Sequence, residues 1–551
     1  MKHRDVRATV TFDLEPEDEA PSGVPDDAHA RGTDPRPSVA GRVARTVRAW
    51  SPRRRFVVAG TLVGLAVAGF GAVRVVDAVH DQTLRARVAT APGGVVSLAH
   101  APARLWRTEI DHPEPLALMD GLLVVSERAS TTGSGIGDGL TLKALDPDDG
   151  HVRWSTTVGG ARSCGTAPGP TGWGRDVGTA AELVCLTGPA GGRVVVVGEG
   201  GRVTAERALR GRTAGEVALA VPGAVLRVSR VGSPVPAPPF VDGALSAAFA
   251  TRDLRVRLED AQTGAERWAA TVPGSSAPAG TAIDTMYLCS HWSADAAEVE
   301  TVDDQSGLSS DIGARRVSLR ACGIAATVDL ATGAIVQRVD PFDPSAGWDP
   351  GAVPLDGAGY ATRLPSDGSG VEVDRIWRED GSLVSDVVGP VALPSSTDGS
   401  PADVLLTNGL QGLAAFDPAD ATKLWVHASQ GAVPIARSAR VLVVAVGGDV
   451  VALAPRTGRE LWNRPVLAPE PDSSGHPEQL VRAFTDGHRV VLVGLLNGGF
   501  LDGDGNGDVW LHALDLSTGE LLWRVERRGP LPQSIGGRLY EVGADAVVAL
   551  G

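Results

Sequence analysis

Lysine is nearly missing from this sequence: Lys2, Lys143 and Lys423 are the only three in 551 residues, and arginine carries almost all of the positive charge. None of the three follows a glycine, which excludes the Gly-Lys-Ser/Thr phosphate cradle of a P-loop. The eleven histidines contain no His-x-x-x-His or His-Glu-x-x-His spacing, so zinc sites of that kind are excluded too. No Gly-x-Ser-x-Gly occurs, and with it goes the nucleophile elbow of a hydrolase. Cysteine is scarce, with four residues, of which no two are closer than 21 positions. Basic charge is in deficit, at a net −15. A nucleic-acid surface needs clustered cations to displace counterions, so a nucleic-acid partner is not expected.

Long apolar runs are also rare, which makes the one at residues 56–73 stand out. FVVAGTLVGLAVAGFGAV has no charged side chain, and Thr61 is its only strongly polar one. A helix needs about 20 apolar residues to cross a bilayer, and Arg74 can snorkel to lengthen this one to residues 56–76. Arg42, Arg45, Arg48, Arg53, Arg54 and Arg55 crowd its N-terminal flank, whereas Asp77 and Asp81 temper the other side. Positive charge stays on the cytoplasmic side. The expectation is therefore a single-pass signal anchor in the cell membrane, with a disordered cytoplasmic tail at 1–55, a linker at 77–92 and an extracytoplasmic domain at 93–551.

All four cysteines, Cys164, Cys185, Cys289 and Cys322, then lie in an oxidising compartment, where an even count points to disulfides. Three pairings are possible. Proximity favours Cys164 with Cys185 and Cys289 with Cys322.

Tryptophan is the aromatic residue the chain does not lack, and it is periodic. Ala513, Asp515, Thr518, Gly519 and Trp523 share their spacing with Ala452, Thr457, Gly458 and Trp462, and with Ala144, Asp146, Gly150 and Trp154. Looser copies end at Trp268 and Trp425. Copies without tryptophan run from Asp329 through Gly333 to Gln337 and from Asp380 and Gly381 to Ser385, and a weaker one surrounds Gly200 and Gly201. Alternating residues before the Asp read as strand. Asp-x-x-Thr-Gly reads as a turn in which the carboxylate accepts backbone N–H bonds and glycine supplies positive φ. A second strand then carries the tryptophan, whose large apolar surface asks for burial. Several short strands per repeat, at spacings of about 40 residues, are the mark of propeller blades.

The Ala-x-Asp-x-x-Thr-Gly-x-x-x-Trp pattern resembles the tryptophan-docking motif of PQQ-type β-propellers, and the resemblance covers roughly residues 93–551. It implies an all-β propeller in which Trp106, Trp154, Trp268, Trp425, Trp462 and Trp523 dock between neighbouring blades. The C-terminal strands stop before any Thr-Gly-x-x-x-Trp, and the missing ending stands at Trp106, so first and last strands are expected to share one blade. Turn marks give seven to nine four-stranded blades, with eight the chosen count.

Quinoprotein alcohol dehydrogenases of this resemblance hold PQQ beside a disulfide of adjacent cysteines, with calcium and an aspartate base. No such pair exists here, so PQQ is not expected. The Gly-rich run from Gly133 to Gly139 lacks the strand–turn–helix setting of a dinucleotide site. One constellation remains: Asp502, Asp504, Asn506 and Asp508, alternating with glycines, resemble the start of a calcium loop, although Ala513 replaces the final bidentate glutamate. The expected function is a non-enzymatic scaffold that binds an envelope protein or other ligand. The alternatives are a sensor relaying through the short tail and a PQQ-dependent dehydrogenase. The propeller lipoprotein that assists outer-membrane assembly is a further resemblance, but no lipid-accepting cysteine follows the apolar run.

Overall fold

The computed structural model describes residues 81–128, 139–165, 177–188, 191–282 (except 214, 234, 236 and 237), 289–292, 299–302, 309–312, 315–342, 352–355, 359–364, 372–429, 431–465, 479–495 and 506–551. The apolar run at 56–73 and the tail at 1–55 lie outside them. Among the described residues no helix is long and apolar enough to cross a membrane.

Among the described residues nine sheets follow one another as propeller blades, antiparallel throughout except where the short strand Ser396–Thr397 adds in parallel to blade 8. Blade 1 joins the two ends of the domain: Arg104–Glu109 pairs with Ala546–Leu550, followed inward by Arg538–Val542 and Pro532–Ile535. Blade 2 runs from Glu114–Met119 to Val152–Gly159 and blade 3 from Ala161–Gly165 to Val203–Ala208. Blade 4 runs from Val217–Val221 to Glu266–Val272 and blade 5 from Ser309–Ile312 to Ile335–Val339. Blade 6 spans Ala352–Leu355 to Leu383–Val388. Blade 7 has three strands, Leu405–Gly409, Gly412–Phe416 and Lys423–His427, with Val391 bridging to Thr407 where an inner strand would lie. Blade 8 ends at Glu460–Arg464 and blade 9 at Leu521–Pro530.

The expected closure is present, but the count is nine rather than eight. Eight turn marks generate eight blades. The ninth, blade 1, has no such turn of its own because its third and fourth strands come from opposite ends of the domain.

Burial follows position in the blade. Middle strands such as Ile324–Asp329 and Ala546–Leu550 are buried along their whole length, and the second reads as an unbroken apolar run. Outer strands such as Leu521–Pro530 alternate between exposed and half-buried residues, the period of a strand with one face inward. The cores lie between blades. Blades 8 and 9, for example, pack Val443, Ala452 and Trp462 against Val490, Leu492 and Trp510.

The segment assigned as a linker carries a helix at residues 81–90 that buries Leu84 and Val88. Leu84 lies against Gly487, the Arg87 backbone against Gly399, and Ala89 against Gly537, all in loops that follow innermost strands. The chain then threads between blades 9 and 1, where the Val95 and Val96 amides donate to the Thr485 and Gly537 carbonyls.

Candidate binding cleft between two blades

In blades 2, 4, 5, 7 and 9 the turn before the outer strand is built by an aspartate, Asp146, Asp260, Asp329, Asp417 or Asp515. Asp260 Oδ1 accepts from the Thr263 amide at 2.8 Å and the Thr263 hydroxyl at 2.9 Å; Asp515 Oδ1 accepts from the Ser517 and Thr518 amides at 2.9 and 3.0 Å. These donors, with Arg267 foremost at Asp260, hold the carboxylates below their ordinary range. The turn presents a carbonyl and a glycine to the preceding blade, and an indole takes both. Nε1 of Trp106, Trp268, Trp425 and Trp462 donates to the carbonyls of Pro147, Leu330, Pro455 and Leu516 at 2.7–3.0 Å. At Gly519 a Cβ would lie 2.6 Å from the Trp462 ring, so the ring itself requires glycine there. Trp154 packs on Gly201 in the same way. Trp523 finds no such turn in blade 1 and donates to the Leu98 carbonyl.

Three junctions lack tryptophan, and each is solved differently. Between blades 3 and 4, Ala205 stands at the docking position and Arg207, two residues on and on the same face, reaches into the space. Its Nε and Nη2 donate to the Ala261 and Asp260 carbonyls, both at 2.9 Å. Sequence reading missed Arg207; the signal was an arginine two positions past the expected indole. Behind it, Arg227 pairs with Glu216 and Glu259, each at 2.6 Å, with side chains no more than 8% exposed. Burial opposes the Arg227 charge, but the two carboxylates outweigh it and raise its pKa. Between blades 5 and 6 the contact is polar: the Arg316 guanidinium stacks 3.8 Å over the Tyr360 ring, and Gln337 Nε2 donates to the Arg363 carbonyl.

Between blades 6 and 7 the docking position is Ser385. Its hydroxyl turns to the carbonyl of neighbouring Asp386 and makes no bond to blade 7. The residue facing it across the strand pair is Ile376, where five of the six Trp-bearing blades have alanine and blade 4 has Leu258, and it packs in the core between blades 6 and 7. Blade 7 in turn offers Ala421, at φ 57°, in place of the glycine. The same junction carries a cleft of about 490 Å³ along the blade 6 side of blade 7. Val388, Leu410 and Val426 border it and are 58%, 73% and 43% exposed, a concentration of apolar surface that a folded chain ordinarily covers. Phe416 and Ala414 floor it. Lys423 and Glu372 also line it, and neither forms an ion pair among the described residues.

The cysteines form Cys164–Cys185 and Cys289–Cys322, as proximity favoured. The first crosses the inner two strands of blade 3; the second ties the connection leaving blade 4 to the turn of blade 5. Of the calcium constellation, Asp502 and Asp504 lie outside the described residues. Asn506 and Asp508 belong to the strand Asn506–Asp515, where they pair with Pro530 and Arg528. Among the described residues no group of three or more His, Cys, Asp or Glu is placed to hold a metal.

The repeat geometry agrees with the comparison by sequence. A family model, PQQ_2, described as outer membrane protein assembly factor BamB, matches residues 91–287 and 323–501. The chain belongs to this family. No curated protein matches this PQQ_2 chain. Among solved structures, the quinohemoprotein alcohol dehydrogenase ADHIIG of Pseudomonas putida HK5 is similar at 14% identity and a TM-score of 0.29, covering 73% of each chain. The WD40 domain of SCAP from fission yeast is similar at 7% identity and 0.33, covering 82% of this chain and 98% of that one. A eukaryotic initiation factor is similar at 10% and 0.38, covering 76% and 89%.

The disulfides bear on the adjacent-cysteine pair that the quinoprotein resemblance associates with PQQ. The observed pairings use all four cysteines across separations of 21 and 33 residues, so no disulfide of adjacent cysteines is formed.

Proposed function

We propose that the chain is a non-enzymatic, membrane-anchored scaffold outside the cytoplasm that recognises a protein partner through the cleft between blades 6 and 7. The observation that carries this reading is the convergence of Val388, Leu410 and Val426 on one concave surface at the junction that lacks a docking side chain. The repeat residues support it as well, because their carboxylates and indoles are spent on turns and interblade contacts. The apolar run at 56–73 behind its arginines supports the anchor, and two disulfides suit an oxidising compartment. The family description names an assembly factor, and a partner-binding role is of the same kind.

The test is a photo-crosslinking amino acid at position 410 in cells, with position 203, exposed on the outer strand of blade 3, as control. A discrete protein adduct from 410 and none from 203 is expected. Absence of any adduct from 410 would remove the reading. In spheroplasts, added protease should digest a C-terminal tag and spare a tag at residue 1. The opposite pattern would invert the topology.

A further inference from the structure

The cleft is elongated. The strand Gly412–Phe416 runs along it, about 13 Å at the usual rise per strand residue. Lys423 is the register partner of Phe416 at one end. At the other end lie Leu410 and Gln411, in the turn before Gly412, together with Gly389, whose amide donates to the Glu372 carbonyl. The cleft is thus apolar in the middle and, among the described residues, carries an unpaired cation at one end and an unpaired anion at the other. The Gln411 side-chain amide has no partner among them, and Asn408 spends only its Nδ2, on the Ala432 carbonyl. Both amides are free to meet a peptide backbone.

Resting on the scaffold reading above, we propose that the cleft takes an extended segment of a partner polypeptide. The segment carries a large apolar side chain flanked by an acidic and a basic residue about four positions apart. The acid meets Lys423, the base meets Glu372, and the apolar side chain enters between Val388, Leu410 and Phe416. An acyl chain would leave Glu372 and Lys423 unanswered. A second copy meeting cleft to cleft would oppose two concave surfaces and leave the apolar floor uncovered.

The probe is the capped peptide Asp-Val-Trp-Val-Lys, fluorescein-labelled, with the full chain in lipid nanodiscs and polarisation as the readout. Saturable binding below about 1 mM is expected. Leu410→Asp should abolish it. Lys423→Glu should weaken it at least about tenfold, while leaving the weaker binding of the neutral peptide Asn-Val-Trp-Val-Gln unchanged. Both substituted side chains are at the surface, so unchanged melting temperatures serve as the folding control. Equal binding by wild type and Leu410→Asp, or none at all, overturns the proposal. So does a dimer in sedimentation that Leu410→Asp dissociates, or displacement of the peptide by lysolipid with no charge dependence. If the peptide fails while position 410 still crosslinks a protein in cells, the scaffold stands and the extended-segment chemistry falls. If both fail, both fall.

Discussion

Trp523 Nε1 donates to the Leu98 carbonyl at 3.1 Å, across 425 positions of sequence. The Leu98 amide donates in turn to Asp486 Oδ2 at 3.1 Å, so one residue is gripped from both sides by blade 9. Leu98 therefore replaces the turn that blade 1 lacks, and ring closure rests on it as well as on the pairing of Arg104–Glu109 with Ala546–Leu550. Asp486→Ala should lower the unfolding midpoint and raise hydrogen exchange at Val95, Val96 and Leu98 before other blades respond. Uniform exchange across the ring would show that this clasp adds nothing local.

Docking tryptophans act on stability. Trp462→Ala, at a site 7% exposed, should cost roughly 3–5 kcal/mol, the usual range for emptying a buried aromatic site. Trp523→Ala, more exposed, should fall toward the lower end. Guanidinium unfolding of the purified chain measures both; a midpoint unchanged in Trp462→Ala contradicts the docking role.

Arg207 substitutes for an indole, so an indole should substitute for it. Arg207→Ala leaves the Ala261 and Asp260 carbonyls without their donor and should lower the melting temperature by several degrees, on the order of 1–3 kcal/mol. Adding Ala205→Trp places an Nε1 where the other junctions have one, opposite the Ala261 carbonyl. The double variant should recover most of the loss. A double variant no more stable than the single would mean that blade 4 cannot receive the ring.

What could be read in advance was whatever repeats. The spacing from Asp515 to Trp523 recurs in register and specifies turn, strand and docking contact together, and the half-blade at Trp106 reveals closure. The blade count slipped because blade 1 has no turn of its own to count. Arg207 escaped because its side chain reaches back two positions, an offset invisible without the neighbouring blade. The cleft was illegible for a deeper reason. It is lined by Glu372, Val388 and Gly389 from one repeat and by Leu410, Phe416 and Lys423 from the next. No motif marks a space.

The cross-links should be recoverable as found. Non-reduced peptide mapping is expected to yield Cys164–Cys185 and Cys289–Cys322, and no other pair. Loops of 21 and 33 residues place each bond at about 3–4 kcal/mol in the chain-entropy account, so mild reductant should lower the melting temperature markedly. A mixed pairing in protein taken from cells would contradict the fold of blades 3 to 5.

Acid sensitivity should centre on His512. Its ring packs 4.5 Å from that of Trp510, between blades 8 and 9, and burial first, then the Arg524 charge, pushes its pKa down from 6.5 to about 4. The unfolded chain binds a proton there as pH falls through 6.5, and the folded chain does not until near 4. Because the unfolded state holds more protons across that interval, stability falls with pH from about 6.5 to about 4 and levels below it. The turn carboxylates such as Asp260 respond in a separate, lower window, since their folded pKa values lie beneath the unfolded value of 3.8. Melting temperature measured from about pH 7 to about pH 4 should therefore decline in the wild type, and the decline should be shallower in His512→Gln. Because a glutamine side chain does not titrate, the difference between the two curves isolates the histidine, even if the substitution itself lowers stability at neutral pH. Parallel curves would mean that His512 is already solvated and protonates equally in both states.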